Sequence, residues 1–336
     1  MTLRVALVGL GEDWRQRVCP ALLALTDQYK VRAVCEQIGH RARQAAFEFN
    51  AKSANGFRAL VRRADIDAIL MFDSQWFGSL PILAACDVGK AVYCDARVGL
   101  ESDRLETIRQ RVRSSGIVFA AGFSYRNLPA TLRLKELIAT RLGSPQLLFC
   151  QRLFCKHRHD TPNAANHIPA GLSPRADGTE FVELVDWCRY VVGRSPVSVV
   201  GWVHSGSGDW PRQAGRGVRL DFSDRCQPGS GPIAQIGPSR FIPSECHDIF
   251  SEEPRAALKV SCVRGRAYLD LPATLIWFDE HGRHEESFKT ERSVSESLLM
   301  QFHRATTGLP GEIANLEDAL AALSIIEQAA GDQFTG

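Results

Sequence analysis

The most informative residues of this chain lie between positions 3 and 36. An apolar strand, Leu3–Val8, runs into the turn Gly9-Leu10-Gly11, and a helical segment and a second strand follow before Glu36. A tight glycine turn lets backbone N–H groups approach a pyrophosphate, and a carboxylate after the next strand accepts ribose hydroxyls. The pattern predicts a dinucleotide site, and Glu36 favours NAD(H) because a carboxylate repels a 2′-phosphate.

Two features of this segment leave alternatives open. Trp14 stands where a third glycine permits close packing of helix on strand, so the indole requires either a displaced helix or a side chain turned outward. A Rossmann fold with a decayed cofactor site is therefore the alternative to a working one. Arg41 and Arg43 follow Glu36 closely, which keeps NADP(H) open as well.

Two carboxylates form a second candidate site. Glu183 and Asp186 are three residues apart on a predicted helix over residues 180–192, so they share one face. Mutual repulsion favours a proton on one of them, as general acid/base chemistry requires. A solvated helix face is the alternative, and the apolar neighbours Val185 and Trp187 argue against it.

Cys155, His157 and His159 alternate at the end of a predicted strand and point the same way. Cysteine and histidine are zinc ligands, but alternate residues of a strand lie about 7 Å apart, too far for a compact tetrahedral site. We therefore expect no metal there. The segment favours a polar strand end that lines a substrate pocket, with His167 on the adjoining loop.

Composition excludes several classes of protein. The net charge is +2 and the charges are interspersed, which argues against a nucleic-acid partner. No apolar run approaches the roughly 20 residues that span a bilayer, so no membrane association is expected. The first residues do not have the pattern of a secretory signal, and the ten cysteines contain no CxxC pair. These features predict a cytoplasmic protein with reduced thiols.

The predicted pattern of strands and helices that position these residues changes along the chain. Residues 1–123 alternate short apolar strands with helices, which predicts a parallel sheet covered on both faces. Residues 124–315 contain runs of strands with few helices, which predicts an α+β domain with a mostly antiparallel sheet. Within it, residues 205–244 are rich in Gly, Pro and Ser and predict loop or weak strand. Residues 316–336 predict a helix that packs back on the first domain.

Several segments, in order along nearly the whole chain, resemble the Gfo/Idh/MocA family of NAD(P)-dependent oxidoreductases. They are the turn 9–11, Glu36, and residues 65–70, 89–94, 122–129, 186–193, 301–310 and 317–320. The resemblance implies an α/β Rossmann domain joined to a domain built on an open, mostly antiparallel sheet. It also implies homodimers or homotetramers formed through that sheet.

The family's usual catalytic residues are altered here. A Glu-Lys-Pro tripeptide follows the matching strand in the family, whereas this chain has Asp95, Ala96 and Arg97. The family's histidine one turn before Asp186 is Glu183. The resemblance assigns catalytic roles to Asp186, Glu183, Asp95 and Arg97, with Arg97 or a loop histidine replacing the lost cation.

The remaining site residues follow from the same resemblance. Arg126, His157 and His167 are expected to bind substrate, although an interdomain hydrogen bond is the alternative for Arg126 and an exposed position for Arg97. The expected cofactor-binding residues are Gly9, Leu10, Gly11, Glu12, Asp13, Trp14, Glu36, Asp73, Ser74 and Asp95.

The resemblance implies hydride transfer between NAD, or NADP, and a sugar-like or cyclitol-like substrate. Two alternatives stay open. One is an inactive dinucleotide-binding sensor or protein-interaction partner, because the usual lysine and histidine are lost. The other is a reductase whose substrate does not need that lysine.

Overall fold

The computed structural model describes residues 1–73, 76–95, 104–151, 153–154, 179–204, 215–227, 229–237, 240–241, 256–271, 273–288, 292–310 and 313–331. The chain divides into two compact units. The first consists of Met1–Ser124 and Glu291–Ala321, and the second of Tyr125–Thr290 and Ala322–Gly336.

The strands of the first unit are β1 (Leu3–Val8), β2 (Tyr29–Cys35), β3 (Lys52–Ser53), β4 (Ala68–Met71), β5 (Ala91–Asp95) and β6 (Phe119–Gly122). The strands of the second are β7 (Pro145–Cys150), β8 (Leu153–Phe154), β9 (Ser198–His204), β10 (Gly215–Asp221), β11 (Ile233–Ile236), β12 (Arg240–Phe241), β13 (Leu258–Cys262), β14 (Gly265–Asp270), β15 (Thr274–Asp279) and β16 (Gly282–Ser287). The α-helices are α1 (Val18–Ala24), α2 (Gly39–Glu48), α3 (Phe57–Val61), α4 (Leu80–Asp87), α5 (Leu105–Ser115), α6 (Pro129–Leu137), α7 (Thr179–Val192), α8 (Val294–Thr306) and α9 (Leu316–Gly331).

The first unit has a parallel six-stranded sheet in the order β3-β2-β1-β4-β5-β6. This is the strand order of dinucleotide-binding Rossmann domains, so the predicted fold class of the first domain is confirmed. Strand β4 is buried along its whole length, as expected of a parallel strand with both faces covered. The glycine turn follows β1, next to β4 at the reversal of strand order where such folds bind ligands.

Helix α8 belongs to the first unit, although the sequence analysis placed residues 291–315 in the second domain. Its apolar residues Leu298, Leu299 and Phe302 are buried in the core that surrounds β1. The Tyr29 hydroxyl donates to the Leu299 carbonyl oxygen at 2.5 Å. Ser293 begins the helix with a capping box to Glu296. Helix α9 is divided between the two units.

The second unit has an eight-stranded sheet in the order β16-β15-β14-β13-β7-β11-β10-β9. Only the β7–β11 pair within it is parallel, so the predicted mostly antiparallel sheet is confirmed. Strands β10 and β11 lie in the segment whose composition predicted loop or weak strand. Pairing with β9 and β7 makes them regular, because tertiary context overrides a weak local preference. Within the described ranges, no helix is long and apolar enough to cross a membrane.

Candidate functional site

The glycine turn after β1 packs directly against the end of β4. The Gly9 N–H donates to the Cys35 carbonyl oxygen at 2.9 Å, and the Phe72 N–H donates to the Gly9 carbonyl oxygen at 3.2 Å. Gly9 and Gly11 have φ angles of +67° and +70°. A Cβ atom at Gly9 would collide with the Asp73 carbonyl oxygen, and one at Gly11 would lie 2.7 Å from that of Phe72. Both glycines are therefore required by the fold itself.

Glu36 lies at the glycine turn. Its Oε2 accepts a hydrogen bond from the Leu10 N–H at 2.8 Å, and its Oε1 accepts one from the Ile38 N–H at 3.3 Å. The Arg41 guanidinium donates to the Gly11 carbonyl oxygen at 2.5 Å on the same turn. The structure thus brings Glu36 and Arg41 together at the glycine turn. Glu36 was expected to favour NAD(H), and Arg41 kept NADP(H) open. Their contacts with a cofactor stay predictions.

Trp14 resolves the difficulty raised by the missing third glycine. Residues Glu12–Trp14 form a single 3₁₀ turn, and α1 begins only at Val18. The indole is 5% exposed and packs between Phe49 and Phe72, with ring centroids 6.0 and 6.2 Å away. Of the two arrangements expected from the sequence, the displaced helix occurs and the outward side chain does not. Trp14 therefore packs in the hydrophobic core of the first unit.

A small pocket beside this turn carries polar groups of both signs. Asp13, Arg17, Tyr93, Asp95 and Ser124 line it, and α8 contributes Ser295 and Leu298. Arg17 Nη1 lies 3.3 Å from Asp13 Oδ2, and Arg17 Nη2 donates to Ser124 Oγ at 3.3 Å. Burial raises the pKa of Tyr93 well above its usual value, and the nearby Asp95 adds to this effect. The predicted residues Asp13 and Asp95 therefore share a pocket at the carboxyl edge of the sheet.

Sequence reasoning missed Arg17 and Ser124. Arg17 follows the turn at a position that the glycine pattern does not specify, and Ser124 comes just after β6. Their proximity depends on the folded sheet, since 107 residues separate them. The available signal was that Arg17 and Ser124 each follow the carboxyl end of a strand, and that the alternation of strands and helices predicts these strands to be parallel.

In the second unit, Asp186 is paired with Arg126. Asp186 is 1% exposed, and its Oδ2 accepts a hydrogen bond from Arg126 Nε at 2.6 Å while its Oδ1 accepts one from Arg126 Nη2. Arg189 Nη1 lies 3.6 Å from Oδ1. The Arg126 guanidinium also packs 5.2 Å from the centre of the Tyr190 ring. Two residues predicted for different roles are thus held by each other, in bidentate geometry.

Glu183 is less buried than Asp186 and lies one helical turn earlier on α7. Asp73 follows β4 and its carbonyl oxygen faces Gly9. The predicted residues Ser74, Arg97, His157 and His167 lie outside the described residues, as do Ala96, Cys155 and His159, and the Glu12 side chain is likewise not described. Among the residues that are described, no three His, Cys, Asp or Glu side chains form a group that could hold a metal ion.

Residues 3–123 match the model of an oxidoreductase family with an NAD-binding Rossmann fold, Gfo/Idh/MocA. This part of the chain is similar to that family. The match covers the part of the first unit that contains the six-stranded sheet and the glycine turn. It confirms the resemblance found in the sequence and NAD(P) as the class of cofactor that this fold binds.

Curated relatives of the chain are dehydrogenases. A dehydrogenase of Aspergillus oryzae is 24% identical over 199 residues, a match that covers 54% of each chain. An inositol 2-dehydrogenase of Paracoccus denitrificans is 23% identical over 201 residues, covering 57% of this chain and 55% of the relative. The chain thus spans about half the length of the curated relatives it matches.

Solved structures share the fold over almost the full chain. An oxidoreductase of Thermotoga maritima superposes with a TM-score of 0.76 at 16% identity, covering 99% of this chain and 98% of the other. Biliverdin reductase of Synechocystis, in complex with biliverdin and NADP⁺, superposes with a TM-score of 0.73 at 14% identity, with 98% of both chains covered. At these identities the likeness establishes the fold alone.

Proposed function

We propose that the chain is an NAD(P)-dependent oxidoreductase that acts on a carbinol or carbonyl group of a sugar-like or cyclitol-like substrate. The observation that carries the proposal is the Glu36 carboxylate, held at the glycine turn by the Leu10 N–H. This arrangement fits a dinucleotide, because the turn has no side chain at Gly9 or Gly11 and an acceptor for ribose hydroxyls stands beside it. A bound nicotinamide supplies or accepts the hydride.

The residues proposed to hold the cofactor are those of the turn and of the neighbouring strand ends. Gly11 presents its backbone to the pyrophosphate, and Glu36, which the Leu10 N–H holds at the turn, accepts from the ribose. Asp73 follows β4, and Asp95 is the last residue of β5. Glu36 favours NAD(H). Arg41 keeps NADP(H) as the second candidate, because its guanidinium already lies on the turn.

The substrate class rests on the relatives. The Paracoccus denitrificans relative is an inositol 2-dehydrogenase, and its match to this chain is partial. A polyol hydroxyl needs a group that takes or returns its proton when hydride moves. We assign that role to Glu183, because Asp186 already has both carboxylate oxygens hydrogen-bonded to Arg126. Asp186 then positions the helix that carries Glu183.

A second candidate function is a dinucleotide-binding sensor without catalysis. Ala96 and Glu183, at the positions of the family's usual lysine and histidine, favour it. Titration with NADH and NADPH, followed by nicotinamide fluorescence, tests cofactor binding. A screen of polyols and sugars for turnover then separates the candidates. Turnover supports the oxidoreductase, tight binding without turnover supports the sensor, and no binding contradicts both.

We also propose that the chain forms homodimers or homotetramers through the face of the eight-stranded sheet that carries Phe149. Along β7, Leu148 and Cys150 are buried whereas the alternate residue Phe149 is 43% exposed. Val200 on β9 is 48% exposed. Both side chains lie on one face of the sheet, because the register runs from Phe149 through Gln235 and Arg219 to Val200. Together with the association that the resemblance implies, they support the proposal.

A further inference from the structure

Arg17 brings a positive charge into the pocket beside the glycine turn, and the proposed function does not yet use it. We propose that the Arg17 guanidinium binds the pyrophosphate of the dinucleotide and that Asp13 competes with that pyrophosphate for Arg17. This inference rests on the proposed function, because it assumes that the turn takes a dinucleotide. It identifies Arg17 as the residue that supplies the positive charge for the pyrophosphate and Asp13 as the residue that opposes its binding.

The displaced start of α1 is the reason for assigning this task to a side chain. In the usual arrangement the helix begins at the turn and its first N–H groups face the phosphates. Here the buried Trp14 and the 3₁₀ turn Glu12–Trp14 stand between Gly11 and the helix, which begins at Val18. The segment folds back on itself, because the Arg17 N–H donates to the Asp13 carbonyl oxygen at 2.9 Å. This fold directs the Arg17 side chain into the pocket.

The existing contacts of Arg17 are long ones. Its distances to Asp13 Oδ2 and to Ser124 Oγ are both 3.3 Å, beyond the usual range for N–H···O hydrogen bonds. The Arg17 and Asp13 side chains are 40% and 32% exposed, so an incoming anion can reach them. A partly exposed ion pair of this kind contributes little to stability. Exchanging Asp13 for another anion therefore costs the fold little.

A pyrophosphate is a better partner for Arg17 than one carboxylate oxygen. It carries two negative charges, and its oxygens match the fork of a guanidinium in bidentate fashion. The Asp13 carboxylate stands on the same segment and repels that charge. Among the described residues that line the pocket, the charged ones are Asp13, Asp95 and Arg17. Arg17 is therefore the cation that can meet the pyrophosphate there.

Four variants test the inference with NADH, ADP-ribose and adenosine as probes, each titrated at low and high salt. We expect Arg17→Ala to weaken NADH and ADP-ribose binding by about tenfold or more, the effect of losing one charge-assisted hydrogen bond. Adenosine has no phosphate, so its affinity does not change. Arg17→Lys keeps the positive charge but lacks the planar guanidinium, so its NADH affinity lies between those of the wild type and Arg17→Ala. Asp13→Asn tightens NADH binding severalfold.

Arg15→Ala is the matched control. It removes the same charge two residues away, where the exposed Arg15 donates to Gln44 Oε1 at 2.5 Å and does not line the pocket. The difference in NADH affinity between the wild type and Arg17→Ala becomes smaller at high salt, because salt screens the attraction between the guanidinium and the pyrophosphate. Thermal unfolding of each variant establishes that the chain is folded, and Asp13→Asn gives a gain of affinity that misfolding cannot produce.

The outcomes separate this inference from the proposed function. Equal NADH affinity of the wild type and Arg17→Ala, or equal losses in Arg17→Ala and Arg15→Ala, overturns the role of Arg17 while cofactor binding stands. Weaker binding by Asp13→Asn overturns the competition. A wild type that binds neither NADH nor NADPH nor ADP-ribose overturns the proposed function, and this inference with it.

Discussion

Glu36 Oε2 accepts a hydrogen bond from the Leu10 N–H at 2.8 Å, which joins the end of β2 to the turn after β1. The same carboxylate accepts a second backbone hydrogen bond from Ile38. Two such bonds fix the side chain at the turn before any ligand arrives. A preorganised acceptor lowers the cost of ordering a ribose, so this contact links the fold to cofactor choice.

We expect Glu36→Gln to change cofactor preference. The amide lacks the charge that repels a 2′-phosphate, so NADH affinity falls by about tenfold while NADPH affinity is kept or increases. Fluorescence titration with both dinucleotides measures the ratio. Glu106→Gln, an exposed acid on α5 paired with Arg109, is the control and leaves the ratio unchanged. An unchanged ratio in Glu36→Gln would show that the carboxylate does not select the cofactor.

Gly9→Ala is expected to destabilise the first unit without any ligand. The new Cβ meets the Asp73 carbonyl oxygen, and φ at this position is +67°. We expect a loss of about 2 kcal/mol or more in the free energy of unfolding, from steric and backbone strain. Gly56→Ala is the control, since a Cβ there meets nothing within 4 Å. Urea unfolding of both variants checks this, and an unaltered Gly9→Ala protein would contradict it.

The Arg4–Asp67 pair is expected to stabilise the first unit only above acidic pH. Hydrogen bonds that Arg4 donates to the Asp67 carboxylate, chiefly from its guanidinium, lower the pKa of Asp67 below its usual value. A lowered pKa in the folded state adds stability above the ordinary pKa of about 3.9, and this stability is lost as pH falls through the lowered value. Asp67→Asn therefore lowers the unfolding temperature at neutral pH, and this difference becomes smaller as the pH falls below the ordinary pKa of about 3.9.

Thermal unfolding across this pH range measures the difference between the wild type and Asp67→Asn. Asp27→Asn, an exposed acid in the same unit, is the control. A difference that is constant with pH would show that the Asp67 substitution acts through packing and not through the charge of the carboxylate.

Phe149→Lys is expected to weaken self-association. Phe149 lies opposite Lys259 on β13 and Gln235 on β11, on the sheet face proposed as the interface. A lysine at position 149 places a second ammonium group opposite Lys259, and a buried charge at an interface between copies costs several kcal/mol unless it is paired. Light scattering coupled to size-exclusion chromatography measures the mass. Val263→Lys, at an exposed position outside the strands, is the control, and an unchanged oligomer in Phe149→Lys would contradict the assignment of this face.

The sequence predicted the alternating strands and helices of the first 123 residues, because most of them have a clear hydrophobic period and glycine stops. It also predicted Glu36 at the turn. It left two arrangements open for Trp14, since a glycine pattern does not specify how a bulky replacement packs. The Arg126–Asp186 pair spans 60 residues, and no local spacing signals such a contact. Helix α8 was not predicted, and its place in the first unit depends on packing against residues far away in the sequence.

The last prediction separates the two carboxylates of α7. Asp186 is buried and paired with Arg126, so Asp186→Asn leaves a buried guanidinium without its anion. We expect a loss of about 3 kcal/mol in the free energy of unfolding. Glu183→Gln removes the proposed proton acceptor, and we expect turnover to fall about a hundredfold or more, with a smaller loss of stability than in Asp186→Asn. Glu183→His restores the residue common in the family and keeps activity. Urea unfolding and kcat on an active polyol give the two readouts, with exposed Glu136→Gln as control. A stable but inactive Asp186→Asn would instead make Asp186 the acid/base.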